Sequence, residues 1–128
     1  MACLDTSFLI DLLSGTDRAL AMQESLDDEG IRHSVAPVSG AELAVGAQLG
    51  SARDRDEAMA LLDSLRWLAF DRSVASRVGR IQARQYDAGH PLGLTDCMIA
   101  ATAIEHGESL VTADGDFERI DGLQVRRY

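Results

Sequence analysis

Apolar residues recur along this chain in two alternating patterns, short unbroken runs and longer stretches with helical spacing. The first run, "MACLD", ends in Asp5 and is followed at once by "TSFLIDLLSG". There Phe8, Leu9, Leu12 and Leu13 recur at helical spacing until Gly15 stops the element. A second helix is expected over "DRALAMQESLDDEG", with Asp17 as cap and Gly30 as stop. "HSVAPV" reads as a small strand leading into the helix "SGAELAVGAQLG", which Gly50 ends. "ARDRDEAMALLDSLRW" is amphipathic, with Ala58, Leu61, Leu62 and Leu65 on one face and acids in its first turns. "LAF" then predicts a short strand, and Asp71 opens a helix carrying Val74, Val78 and Ile81. After the loop "GHPLG" come the helix "TDCMIAATAIEHG", the strand "SLVT", the turn "ADGDF" and an edge-like strand "LQVRR".

The order is therefore β-α-α-β-α-α-β-α-α-β-turn-β. Strands that alternate with helices imply crossover connections and a parallel sheet covered on both faces, an α/β fold. No repeat, low-complexity tract or linker interrupts the pattern, so residues 1–128 are expected to form one domain. A chain of this length buries about two thirds of its unfolded surface and needs neither disulfide nor structural metal to fold. Cys3 and Cys97 lack metal-ligand spacing and lie in apolar segments, as small buried hydrophobes of a reducing compartment do. Neither a leader-like N-terminus nor an apolar run long enough to span a bilayer is present, so a soluble cytoplasmic protein is expected.

Charge narrows the chemistry. The 21 acidic residues outnumber 12 basic ones, for a net charge of −9, and every basic residue is Arg. An acidic surface argues against a general nucleic-acid coat. The absence of lysine removes the phosphate cradle of P-loop proteins and every lysine-dependent mechanism.

Four acidic positions then share one description. Asp5 ends the first strand, Glu42 lies early in the helix after the second, and Asp114, followed by Asp116, comes directly after "SLVT". Asp96 opens the helix that precedes that strand. In an open parallel sheet the carboxyl ends of the strands line one crevice, where ligands bind. Each acid also has a local explanation. Asp5 could cap the first helix, Ser39 and Glu42 form the S-x-x-E of a capping box, Asp96 is a favourable first-turn acid beside Thr95 as cap, and "ADGD" is ordinary turn chemistry. If they converge, their mutual repulsion costs about 1 kcal/mol per pair at 4 Å in water and about 4 at an effective dielectric of 20. A divalent cation removes that penalty, and an all-oxygen donor set suits Mg²⁺ or Mn²⁺.

The segments "CLDTSFLIDLL", "VSGAELAVG" and "GHPLGLTDCMIAATAIEHGESLVTADGDFERIDGLQV" together closely resemble the PIN-domain family, and within it the VapC-type toxins of toxin–antitoxin pairs. The third segment is the most telling, because it joins G-x-P-x-x-x-x-D, a small-residue helix and a T-x-D-x-D-F turn. The resemblance implies a PIN-like sheet of four or five parallel strands and a Mg²⁺- or Mn²⁺-dependent endoribonuclease leaving 5′-phosphate and 3′-hydroxyl ends. It assigns catalysis to Asp5, Glu42, Asp96 and Asp114, and metal binding to Asp5, Asp96 and Asp114, with Asp116 as a further ligand or outer acid. Thr6, Ser7 and Thr112 would orient these carboxylates, and Glu42 would hold water or act as base. The partners implied are an RNA substrate, a VapB-type antitoxin and a second copy of the chain, the last two meeting the apolar helix faces within residues 8–29 and 53–66.

Other features weigh less. His33, His90 and His106 have no apparent catalytic partner. Arg77, Arg80 and Arg84 form one helical stripe, either a solvated face or phosphate contacts near the acids. Trp67 and Phe70 are expected in the core rather than as base-stacking platforms. Receiver-type phosphotransfer needs a lysine, and haloacid-dehalogenase-type phosphatases need Asp-x-Asp where this chain has "DTS". The remaining rival is a PIN-like module that binds RNA or protein without cutting.

Overall fold

The computed structural model describes all of residues 1–128. Five parallel strands form one sheet: β1 (Ala2–Leu4), β2 (His33–Val35), β3 (Arg66–Trp67), β4 (Ser109–Thr112) and β5 (Val125–Arg127), in the spatial order β3-β2-β1-β4-β5. Two helices follow each of the first three strands: α1 (Thr6–Ser14) and α2 (Asp17–Asp28), α3 (Pro37–Leu49) and α4 (Ala52–Ser64), α5 (Arg72–Asp87) and α6 (Leu94–Glu105). A 3₁₀ helix, Gly115–Arg119, replaces the turn expected between β4 and β5.

Side chains alternate across the sheet, and this alternation builds the two halves of the core. Cys3 and Leu110, paired in register, face α5 and α6, where they meet Val74, Val78, Ile81 and Ile99. Leu4 and Val111, also paired, face the opposite layer with Phe8, Leu9, Leu26, Leu43 and Leu62. Burial drives the Cys3 thiol up to about 12, with the nearby Glu108 carboxylate adding to the shift, so it is an inert core group. Cys97 is a buried free thiol as well.

The strand order reverses direction at β1, which has β2 on one side and β4 on the other. Asp5 sits at this switch point, its backbone N–H donating to the Val111 carbonyl at 3.0 Å.

Five expectations need correction. The third strand is Arg66–Trp67, not Leu68–Phe70. It is a two-residue edge with exposed side chains, so no apolar alternation marks it. Trp67 and Phe70 accordingly stay 48% and 37% exposed instead of entering the core. Trp67 lies against Gly40, where a Cβ would come within 2.3 Å of the indole. The second helix is capped by Thr16, with Asp17 as its first residue. Helix α3 begins at Pro37, a favoured first helical position, so Ser39 and Glu42 lie inside it and form no capping box. Helix α6 begins at Leu94 after Gly93, so Thr95 is not its cap. A capping box does form elsewhere, between Ser51 and Asp54 at the start of α4.

Candidate active site

Each acid reaches the carboxyl edge of the sheet by a different local route. Asp5 is the N-cap of α1, so it performs its structural role there. It does more than that role requires. Its Oδ1 accepts the Thr6 backbone N–H at 2.8 Å, and its Oδ2 accepts the hydroxyls of Ser7 at 3.0 Å and Thr112 at 2.7 Å. Thr112 ends β4, so its hydroxyl ties the two central strands together through the Asp5 carboxylate. Asp5 is only 5% exposed. Burial raises its pKa, against the pull of these three donors, and the charge on Glu42 raises it further.

Glu42 projects from the second turn of α3, exposed, and accepts the Thr6 hydroxyl at 2.7 Å. The failure of the capping box leaves its carboxylate available for this contact. Asp114 is the N-cap of the 3₁₀ helix and accepts the Asp116 N–H at 2.8 Å, while its own N–H donates to the Thr112 hydroxyl at 3.1 Å. Thr112 thus donates to Asp5 and accepts from Asp114. Asp116 pairs with Arg119 at 3.3 Å.

Asp96, half-buried in the first turn of α6, differs from the others: no hydrogen bond offsets its burial. Its pKa is raised to about 6, by burial first and then by the charges of Asp5, Asp114, Glu42 and Asp116. Four acids from three other segments act on this one carboxyl group. The five acidic residues expected at the site are therefore brought into one electrostatic neighbourhood.

The donor set is carboxylate and hydroxyl oxygen throughout, the chemistry of a hard divalent cation. Asp96 combines partial burial, surrounding negative charge and no hydrogen-bond donor, an environment that favours a cation beside it. No three His, Cys, Asp or Glu side chains are poised as a ready-made metal cage, and Glu42, Asp114 and Asp116 are exposed.

Two residues near the site lack any sequence motif. The Tyr128 hydroxyl donates to Asp11 at 2.6 Å and its ring stands edge-on to Phe8, with centroids 4.8 Å apart. Burial, the Asp11 contact and the charge on Asp5 help push the phenol up to about 12. Arg119, the partner of Asp116, could have been found from its i+3 spacing to that acid. The histidines stand apart: His106 contacts the Ala69 carbonyl and His33 pairs with Asp27.

The chain matches the PIN domain family model over residues 2–123. It is 32% identical over 100 residues, 76% of each chain, to the tRNA(fMet)-specific endonuclease VapC of Salmonella typhimurium. Its structure is similar to that of DNA-bound VapBC from Salmonella typhimurium, with a TM-score of 0.87 at 27% identity, covering 99% of this chain and 98% of that one. In fold alone it also matches VapBC2 from Rickettsia felis bound to a promoter DNA fragment, with a TM-score of 0.88 at 21% identity and the same coverage of both chains.

Proposed function

Since the chain belongs to the PIN domain family, in its VapC-type branch, we propose that it is a divalent-metal-dependent endoribonuclease, the toxin of a VapBC-type pair acting in the cytoplasm. The observation that carries the reading is the hydrogen-bonded chain Glu42–Thr6–Asp5–Thr112–Asp114 at the carboxyl edge, with the charges of these acids raising the pKa of Asp96 beside it. Such repulsion disfavours a bare cluster, and a bound cation reverses its sign.

Asp5, Asp96 and Asp114 would hold Mg²⁺ or Mn²⁺, with Asp116 as a further ligand or outer acid. The ion supplies neutralisation of the scissile phosphate and acidification of water. Asp5 is oriented by Ser7 and Thr112, so its lone pairs are fixed before substrate arrives. Glu42 gives one oxygen to the Thr6 hydroxyl and keeps the other free to accept the proton of an attacking water. In-line attack of water on phosphorus would break the P–O3′ bond, leaving the phosphate on the 5′ end of one fragment and, once the departing oxygen takes a proton from water, a 3′-hydroxyl on the other.

The partners follow from the same reading. A VapB-type antitoxin and a second toxin copy would cover apolar helix surface, including the groove of about 350 Å³ lined by Ile10, Leu13, Leu43, Ala47 and Ala58. No helix is long and apolar enough to cross a membrane. Initiator transfer RNA, the substrate in the relative's name, is the first RNA to test. Cutting in Mg²⁺ or Mn²⁺, lost with chelator and in Asp5→Asn, is the expected result. Intact RNA under every metal would instead support a module that binds without cutting.

A further inference from the structure

A cavity of about 610 Å³ opens between α5 and the end of the 3₁₀ helix. Its walls carry Arg77, Arg80, Arg84 and Arg119, with His90 beside them and Asp121 as the only acid. Four of the chain's 12 basic residues thus face one cavity, in a protein of net charge −9. The stripe Arg77, Arg80, Arg84 follows one face of α5 over about 10 Å.

Existing pairings leave much of this charge uncommitted. Arg80 meets no carboxylate, only the Ser76 hydroxyl at 3.2 Å. Arg84 pairs with Asp121 at 3.0 Å, but the two side chains are 72% and 85% exposed, and an ion pair so solvated contributes little. Arg77 is committed to Glu105. Arg119 belongs to both regions, lining the cavity while pairing with Asp116 of the acid cluster. The basic cavity and the acidic site are consequently adjacent, joined along a single five-residue helix.

We infer that this cavity holds the phosphodiester backbone of the RNA strand beside the phosphate that is cut. The inference rests on the nuclease reading above. An acidic protein repels a polyanion at long range, and a substrate strand crossing the acid cluster needs cations for its neighbouring phosphates. Guanidinium forks match phosphate oxygens with paired hydrogen bonds, and these contacts set position rather than sequence. Arg80 and Arg84 are the donors free to turn to the strand. The adjacency to Asp116 favours RNA over an acidic peptide, because one strand would then occupy both regions.

The test measures binding of a fluorescein-labelled single-stranded RNA by anisotropy in EDTA, so that binding is read without cutting. Arg80→Ala/Arg84→Ala should bind at least about tenfold more weakly at low salt. Its slope of log affinity against log salt should fall by about 1.4, since each single-strand phosphate contact contributes about 0.7. Arg80→Lys/Arg84→Lys should keep most of the slope, and Asp5→Asn should bind RNA while failing to cut it. Unchanged affinity and slope in the alanine pair, with an unchanged melting temperature, overturn the inference while wild-type cutting keeps the nuclease reading intact. Labelled polyglutamate bound more tightly than RNA, and lost in the same pair, overturns it too, in favour of an acidic protein partner. A wild type that neither binds nor cuts RNA defeats both readings.

Discussion

Two carboxylates in this molecule are equally hidden, Asp5 and Glu108, each 5% exposed at opposite ends of the sheet. Asp5 closes β1 at the carboxyl edge and accepts three hydrogen bonds from protein donors. Glu108 precedes β4 at the other edge, where Ser34 donates to its Oε2 and its Oε1 is buried with no partner. By hydrogen bonding alone Asp5 is the comfortable one and Glu108 the strained one. Their surroundings reverse that ranking. Asp5 stands among Glu42, Asp96, Asp114 and Asp116, whereas the charge on Glu108 bears on the buried, uncharged Cys3 thiol. Burial of one acid is a local packing solution, whereas several acids held together are the pattern of a functional site, the basis of the nuclease proposal.

The largest effect should come from breaking the well-bonded partner. Asp5→Asn keeps the cap and the shape of the side chain but removes its charge, and it should cut RNA at least ~100-fold more slowly. Melting and circular dichroism should stay close to wild type. Substantial residual cutting with a normal fold would mean that Asp5 is a helix cap and nothing more. Thr112→Val removes the hydroxyl that orients Asp5 from β4, and a loss of about 10- to 100-fold in activity or metal affinity is expected, the range for outer-shell partners.

The opposite edge should respond in the other currency, stability without activity. Ser34→Ala takes away the single donor of Glu108 and leaves a buried carboxylate with none, at a cost of about 1–3 kcal/mol by denaturant titration. The specific activity of the folded fraction should not change. Glu108→Gln in the same background should recover part of the loss, because a neutral amide is cheaper to bury. Impaired cutting in folded Ser34→Ala would erase the distinction between the two edges.

Much of this was legible in the chain. The acids at strand ends stand out because strand and helix periods differ, so Asp5 and Asp114 are fixed to one edge by the apolar runs they follow. The element order and the parallel sheet follow from the same alternation. What stayed hidden depends on contacts without a period. Arg66–Trp67 is a strand only because Val35 and Leu68 complete its ladder, through the Leu68 N–H to the Val35 carbonyl at 3.0 Å. Ser39 and Glu42 carry a capping-box spacing that Pro37 pre-empts by starting the helix earlier. Nothing in the spacing of Arg119, Asp121 and α5 announces that they share a cavity, since that closeness is tertiary.

The smallest effect is also the most direct reading of how the acids interact. Asp96 holds its proton up to about pH 6 in the folded chain, against an ordinary value near 3.8. Between these values the folded state binds more protons than the unfolded state, so metal-free stability should fall as pH rises from about 4 to about 6 and stay low above that. Asp5, whose pKa is raised as well, contributes in the same direction. Partial exposure of Asp96 keeps the change modest, a matter of slope rather than of collapse. Melting temperatures recorded in chelator across this range should decline for the wild type and much less for Asp96→Asn, which carries no charge to repel its neighbours. Mg²⁺ or Mn²⁺ should then stabilise the wild type at neutral pH and much less at pH 4, where Asp96 keeps its proton. Were Asp96→Asn to show the wild-type slope, the repulsion would lie elsewhere, and Asp96 would revert to the ordinary first-turn acid that its position in α6 allows.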